Sequence, residues 1–175
     1  MTRTHHILAL AAALALSLLA ACASVARVDA GGDVHAFLVS VRDNDRQAFE
    51  RYVDRPALKA QLESRIVQTA RDSRQPTGAK LAALLLAGPA ADLAGDTLLQ
   101  PRVFRVAAEY LGYSPSTPIP NRLAIAGALK YRPDGRVCAV AKRNGQCLFV
   151  FTNEGGTWKL TGFEGDVNQL KGVLR

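Results

Sequence analysis

The sequence predicts an α+β fold, with four to five N-terminal helices packed on a small C-terminal antiparallel sheet of three to four strands. Three observations predict it. Apolar residues recur every three to four positions from Asp33 to about Leu111, the period of a half-buried helix. The segment GYSPSTPIPN, residues 112–121, then places Pro115, Pro118 and Pro120 too close together for a helix to continue. Beyond it, short runs rich in Val, Phe and Thr are separated by Asn144-Gly145 and Gly155-Gly156.

Taken in order, Asp33 reads as an N-cap before Val34 to Val41, with Phe37, Leu38 and Val41 on one side. Asp43 or Asn44 breaks and restarts that helix, and Phe49, Tyr52 and Val53 continue its apolar face. Asp54 is a second N-cap, with Pro56 in the first turn, where its missing N–H costs nothing. Leu58, Leu62, Ile66 and Ala70 then repeat every four residues. Gln75 to Gly78 ends this helix. Lys80 to Ala87 is nearly all Ala and Leu and reads as a buried helix, interrupted by Gly88-Pro89. Ala90 to Leu99 and Pro101 to about Leu111 read as further helices.

Leu123 to Tyr131 fits either a helix or a strand, and Pro133-Asp134-Gly135 is a turn. Arg136 to Lys142, Cys147 to Thr152 and Trp158 to Phe163 read as antiparallel strands. A two-residue Asn144-Gly145 hairpin sets Lys142 opposite Cys147, Val140 opposite Phe149 and Cys138 opposite Phe151. Gly155-Gly156 sets Phe151 opposite Leu160. Cys138, Val140, Cys147, Phe149, Phe151, Trp158 and Leu160 then share the face expected to pack on the helices.

Composition narrows the class. At 175 residues, 49% apolar and 21% charged, the chain is neither disordered nor fibrous. One domain of this size buries enough surface to fold without metal or disulfide. The formal net charge is +7, from 22 Lys and Arg against 15 Asp and Glu. The excess is spread over Arg65, Arg71, Arg74, Lys80, Arg102, Arg105, Lys142 and Arg143. A nucleic-acid role would need an aromatic-interleaved basic patch and a cytoplasmic location, and neither is offered, so nucleic acid is not an expected partner.

The N-terminus carries an address. Arg3, His5 and His6 precede Ile7 to Ala21, which is apolar apart from Ser17 and too short for a comfortable transmembrane helix. A basic start, an apolar core and small residues before a cut site describe a secretory signal peptide over residues 1–21. Its loss removes only Arg3 among the cations and no acid, taking +7 to +6. Ala23 to Gly32 reads as a flexible coil, making residues 22–32 a tether and residues 33–175 a single globular domain.

Leu19-Ala20-Ala21-Cys22 resembles the lipobox of bacterial lipoproteins. The resemblance implies that Cys22 is the lipid attachment site, becomes the new N-terminus and carries acyl chains such as palmitate. Ala23 after it implies sorting to the outer membrane, with the domain facing the periplasm.

The remaining chemistry-bearing residues are few. The periplasm is oxidising, so Cys138 and Cys147 invite a disulfide. In the two-residue hairpin they lie four residues apart along one face, roughly 13 Å at strand rise, which favours free, buried thiols. A wider loop would bring them together. His35 has no ligand-spaced partner and reads as a surface residue. Asp92 and Asp96 share a helix face and could do acid–base work, though Asp96 after Gly95 also suits a cap. No phosphate loop, nucleophile elbow or metal cluster is visible, so no catalytic residue, metal or cofactor is expected.

Asp45 to Leu62 (DRQAFERYVDRPALKAQL) resembles a bacterial domain-of-unknown-function family, number 2939. Val53, Asp54, Pro56, Leu58 and Lys59 match one of its motifs and Trp158-Lys159-Leu160 another, while Arg55 stands where an aromatic is usual. Leu99-Gln100-Pro101 stands loosely where members start a helix with Thr-Pro. These motifs mark fold, and the resemblance implies no activity.

Three functions follow as expectations. The first is a non-enzymatic, lipid-anchored periplasmic binding protein with a protein partner, its specific form a toxin-neutralising immunity lipoprotein. The second is a carrier of lipid or another apolar ligand, which needs a cavity of at least ~300 Å³ between helices and sheet. The third is an envelope hydrolase using Asp54, or Asp92 with Asp96.

Overall fold

The computed structural model describes residues 24–72, 77–110, 114–140 and 145–164. The expected signal peptide and Cys22 lie outside them. The arrangement is α+β, as the sequence predicts, with seven helices among the described residues rather than four or five, then one antiparallel sheet in the order β1-β2-β3-β4.

The first helix, α1, occupies residues 24–43 and so runs through most of the expected tether. Asp33 is inside it and is not an N-cap. The Asp33 carboxylate accepts the Trp158 backbone N–H at 2.8 Å, and Asp29, one turn earlier, accepts Trp158 Nε1–H at 2.9 Å. Ala30 is fully buried in the core, so the packed unit begins before residue 33. Gly31 faces the Arg122 carbonyl so closely that a Cβ there would lie 2.5 Å from it. Locally, Gly31-Gly32 reads as coil. Tertiary packing overrides that propensity, because only a residue without a side chain fits this contact.

Val34, Phe37 and Val41 continue the buried stripe of α1. Asn44 closes the helix with φ +55°, and Asp45 caps α2 (Arg46–Arg51) by accepting the Ala48 N–H at 3.0 Å. Asp54 caps α3 (Arg55–Asp72) as expected, accepting the Ala57 N–H at 3.0 Å. α4 (Thr77–Leu85) and α5 (Ala87–Leu98) pack on α3. α6 (Pro101–Tyr110) brings Phe104 into the core. The ambiguous stretch after the proline loop is both elements in turn: α7 (Arg122–Ala128), capped by Asn121, then β1 (Leu129–Tyr131).

β2 (Val137–Val140), β3 (Cys147–Glu154) and β4 (Thr157–Phe163) form the meander. The β3–β4 corner turns at Gly155-Gly156, with φ of +59° and +88°, and Phe151 faces Leu160 as expected. The β2–β3 register differs from the two-residue hairpin. Val140 pairs Cys147, Ala139 pairs Phe149 and Val137 pairs Phe151, with a bulge between Ala139 and Val140. The connection is therefore wider than Asn144-Gly145 alone. Cys138 and Cys147 then come within 5.7 Å Cα to Cα and form a disulfide, correcting the reading as free thiols. The same shift exchanges faces: Val137 and Ala139 join Phe149, Phe151, Trp158 and Leu160 against the helices, in place of Cys138 and Val140.

Phe37 anchors the helix–sheet layer, its ring 5.6 Å from Phe49, 5.9 Å from Phe104 and 6.2 Å from Phe151. The edge of β4 away from β3 is closed by the helical half. Leu160 N–H donates to the Tyr52 carbonyl at 2.8 Å, and Leu160 C=O accepts the Asp54 N–H at 3.0 Å. The Gln61 amide does the same at Phe163, donating to its carbonyl at 2.8 Å and accepting its N–H at 2.9 Å.

Two expectations test this packing. Gly31→Ala should destabilise the fold by about 1–3 kcal/mol through the clash with the Arg122 carbonyl. Gly32→Ala, where a Cβ meets nothing within 4 Å, should stabilise it by about 0.5–1 kcal/mol. Urea denaturation reads both, and equal effects would contradict a packed α1. Replacing Cys138 and Cys147 together by Ala should cost about 2–3 kcal/mol in the same assay. Denatured, unreduced protein should show no free thiol from either residue.

Candidate interaction surface

The residues singled out as chemically active are each committed to structure. Lys59 on α3 reaches across to α5, its Nζ 3.2 Å from Asp92 and 2.9 Å from Asp96. The lysine hydrogen bond holds the Asp96 carboxyl below its ordinary pKa, and the same bond raises that of Lys59. An aspartate so held is a poor proton donor near neutral pH. Asp54 is occupied as a cap. His35 Nδ1 lies 2.9 Å from the Pro120 carbonyl and ties α1 to the loop before α7. Among the described residues, no group of three or more His, Cys, Asp and Glu is placed to hold a metal.

Arg55, where an aromatic is usual, forms a two-bond fork with Glu50, 2.6 Å at each contact, and donates to the Leu99 carbonyl. It thereby locks the end of α2, the start of α3 and the end of α5 at one point. The fork lowers the Glu50 carboxyl pKa and raises that of Arg55.

What the sequence does not disclose is the outward face of α4 and α5. Lys80 to Ala87 was expected to be buried. Instead Leu81 is 57% exposed, Leu85 72% and Leu86 61%. On α5, Leu93 and Leu98 are 73% and 51% exposed. The cause is on the opposite side of α5, where Ala87, Ala91 and Gly95 are buried. The stem of Lys59 lies across Gly95, with Cγ 2.6 Å from where a Cβ would stand. Small residues let α5 lie close to α3, and the leucines are left outside. The spacing of Ala87, Ala91 and Gly95 was the available signal.

Leu81, Leu85, Leu86, Leu93 and Leu98 are the large apolar side chains that this helix pair leaves exposed. The molecule is thus a helix-rich α+β protein, cross-linked once in its sheet, with an apolar outer helix pair. The chain belongs to the family described as protein of unknown function, DUF2939, whose model matches residues 10–107. That stretch includes the Val53 to Lys59 motif and the whole of α4 and α5, whereas Trp158-Lys159-Leu160 lies beyond it. No curated protein and no solved structure matches the chain.

The Glu50–Arg55 fork sets a pH dependence. A carboxyl whose pKa is lowered on folding adds stability above its unfolded value, about 4.3, and that stability is lost as pH falls through and below it. Arg55→Gln should therefore cost about 1–2 kcal/mol at pH 7, allowing for partial exposure of the pair. The difference from the native chain should shrink below about pH 4. Denaturant midpoints at the two pH values check this, and a pH-independent difference would contradict it.

Proposed function

We propose that this chain is a non-enzymatic, lipid-anchored binding protein of the bacterial cell envelope that holds a protein partner on the leucines of α4 and α5. The observation that carries the reading is the inverted pattern of α5, with Ala87, Ala91 and Gly95 inward and Leu93 and Leu98 outward, beside the exposed Leu81 and Leu85 of α4. Protein interfaces bury such apolar clusters at their centres. The Cys138–Cys147 disulfide supports an oxidising compartment, consistent with export to the periplasm. The lipobox-like Leu19 to Cys22 supports anchoring through Cys22 at the outer membrane, and no cofactor enters the reading. The specific form is an immunity-type lipoprotein whose partner is an exported toxin. A carrier role would need room behind the sheet, and Phe37, Phe49, Phe104 and Phe151 fill that space with one another.

A photo-crosslinking residue at Leu85 or Leu93, in cells expressing the full chain, should capture a discrete envelope protein. Leu85→Glu with Leu93→Glu should abolish that capture while changing stability by no more than about 0.5 kcal/mol, as surface substitutions do. Capture unaffected by the two glutamates would overturn the assigned surface. Cys22→Ser should abolish palmitate labelling and leave the chain no longer fixed to envelopes. A captured protein whose toxicity is unchanged by this chain would exclude the immunity form.

A further inference from the structure

The helical start of the described chain places the domain close to Cys22. Only Ala23 separates Cys22 from Ser24, where α1 is already helical, and two chain steps reach at most about 7 Å. α1 is rigidly seated soon afterwards, through Ala30 in the core and through Asp29 and Asp33 on Trp158. A lipid on Cys22 therefore cannot hold the domain at a distance. Whatever surrounds the start of α1 is then within reach of the membrane.

That surroundings has the composition of a membrane-facing patch. Val25 is 69% exposed and Val28 40% on α1, and Leu123 at the start of α7 is 61% exposed. α7 is held beside α1 by the contact of Gly31 with the Arg122 carbonyl and by His35 at the Pro120 carbonyl. Val25, Val28, Asp29, Asp33 and Arg122 border one open surface hollow of about 560 Å³. Arg27 and Arg122 are the cations here. The acids of the hollow, Asp29 and Asp33, each give one carboxylate oxygen to Trp158, at its ring N–H and its backbone N–H. Long arginine side chains with apolar stems beside exposed Val and Leu suit an interface of acyl chains and anionic headgroups.

We propose that Val25, Val28, Leu123, Arg27 and Arg122 form a docking surface that seats the domain directly on an anionic lipid leaflet. This rests on the anchoring of Cys22 given under the proposed function. It also sets the orientation of the partner surface. α3 meets β4 at Leu160 through its cap and at Phe163 through Gln61, so it runs away from the Trp158 end. Its 18 residues span about 27 Å, and Glu63 near its middle meets Gly88 at the start of α5. α4 and the first turn of α5 thus lie at the end of the molecule away from the membrane, where their leucines face the periplasmic space.

The test uses the full chain, lipidated in cells and reconstituted into vesicles of phosphatidylethanolamine with phosphatidylglycerol. Nitroxide labels are placed on Val25→Cys, on Leu123→Cys and, as reference, on Leu85→Cys. Labels at 25 and 123 should be shielded from an aqueous nickel relaxant and accessible to oxygen, while the label at 85 stays open to nickel. Arg27→Gln with Arg122→Gln should shift the seated-to-lifted ratio by about 30-fold, the worth of two arginines at an anionic surface, without releasing the protein from the vesicles. Nickel access at 25 and 123 equal to that at 85, in protein that carries its lipid and floats with the vesicles, would overturn this proposal alone. Protein that lacks the acyl mass and does not float would overturn the anchor and this proposal together.

Discussion

Trp158, Leu160 and Phe163 turn backbone groups of β4 away from β3, and an open edge there would offer itself to any extended chain. The helical half closes it at three successive points. Asp33 of α1 takes the Trp158 N–H, the Tyr52–Asp54 link pairs with Leu160 as a one-residue parallel bridge, and Gln61 of α3 pairs with both groups of Phe163. These contacts join residues roughly a hundred positions apart. They fix α1, α2 and α3 to the sheet, and the positions of α4, α5 and α7 follow from those three.

The edge contacts also explain why α1 begins so early. A helix starting at Asp33 would spend that carboxylate on its own first turn. Here the helix starts before it and the carboxylate is free for the Trp158 N–H, with Asp29 one turn back on the indole. Ala30 and Gly31 fall between them on the buried side, where α7 approaches too closely for any larger residue. The N-terminal end of the described residues is therefore part of the packed unit.

Local signals were legible wherever a residue's partner lies within a few positions. Asp54 as a cap, the turn at Pro133-Asp134-Gly135 and the Gly155-Gly156 corner depend on neighbours in sequence and hold in the structure. Asp33 and Gly31-Gly32 misled because their partners, Trp158 and Arg122, are far along the chain. Asn144-Gly145 misled differently: Gly145 does take a positive φ, but the strands pair across a wider connection that places Cys138 and Cys147 together. A one-residue change of register exchanged Cys138 and Val140 for Val137 and Ala139 on the core face. The candidate surface was hidden because Ala and Leu are both apolar, and periodicity alone does not say which of the two faces inward.

Two independent features fix that choice on α5. Ala87, Ala91 and Gly95 leave no room for leucine against α3, since even a methyl group at Gly95 would collide with the Lys59 stem. Asp92 and Asp96 hold the Lys59 ammonium from the same helix, so turning α5 about its axis to bury Leu93 would break both ion pairs while forcing a bulky side chain into the Gly95 contact. The Arg55 fork holds the far end of α5 through the Leu99 carbonyl. Exposed ion pairs contribute little stability, so their effect here is chiefly on rotation. A helix so constrained presents Leu93 and Leu98 outward as a fixed, preorganised surface, and a partner binding there would not have to meet the cost of ordering it.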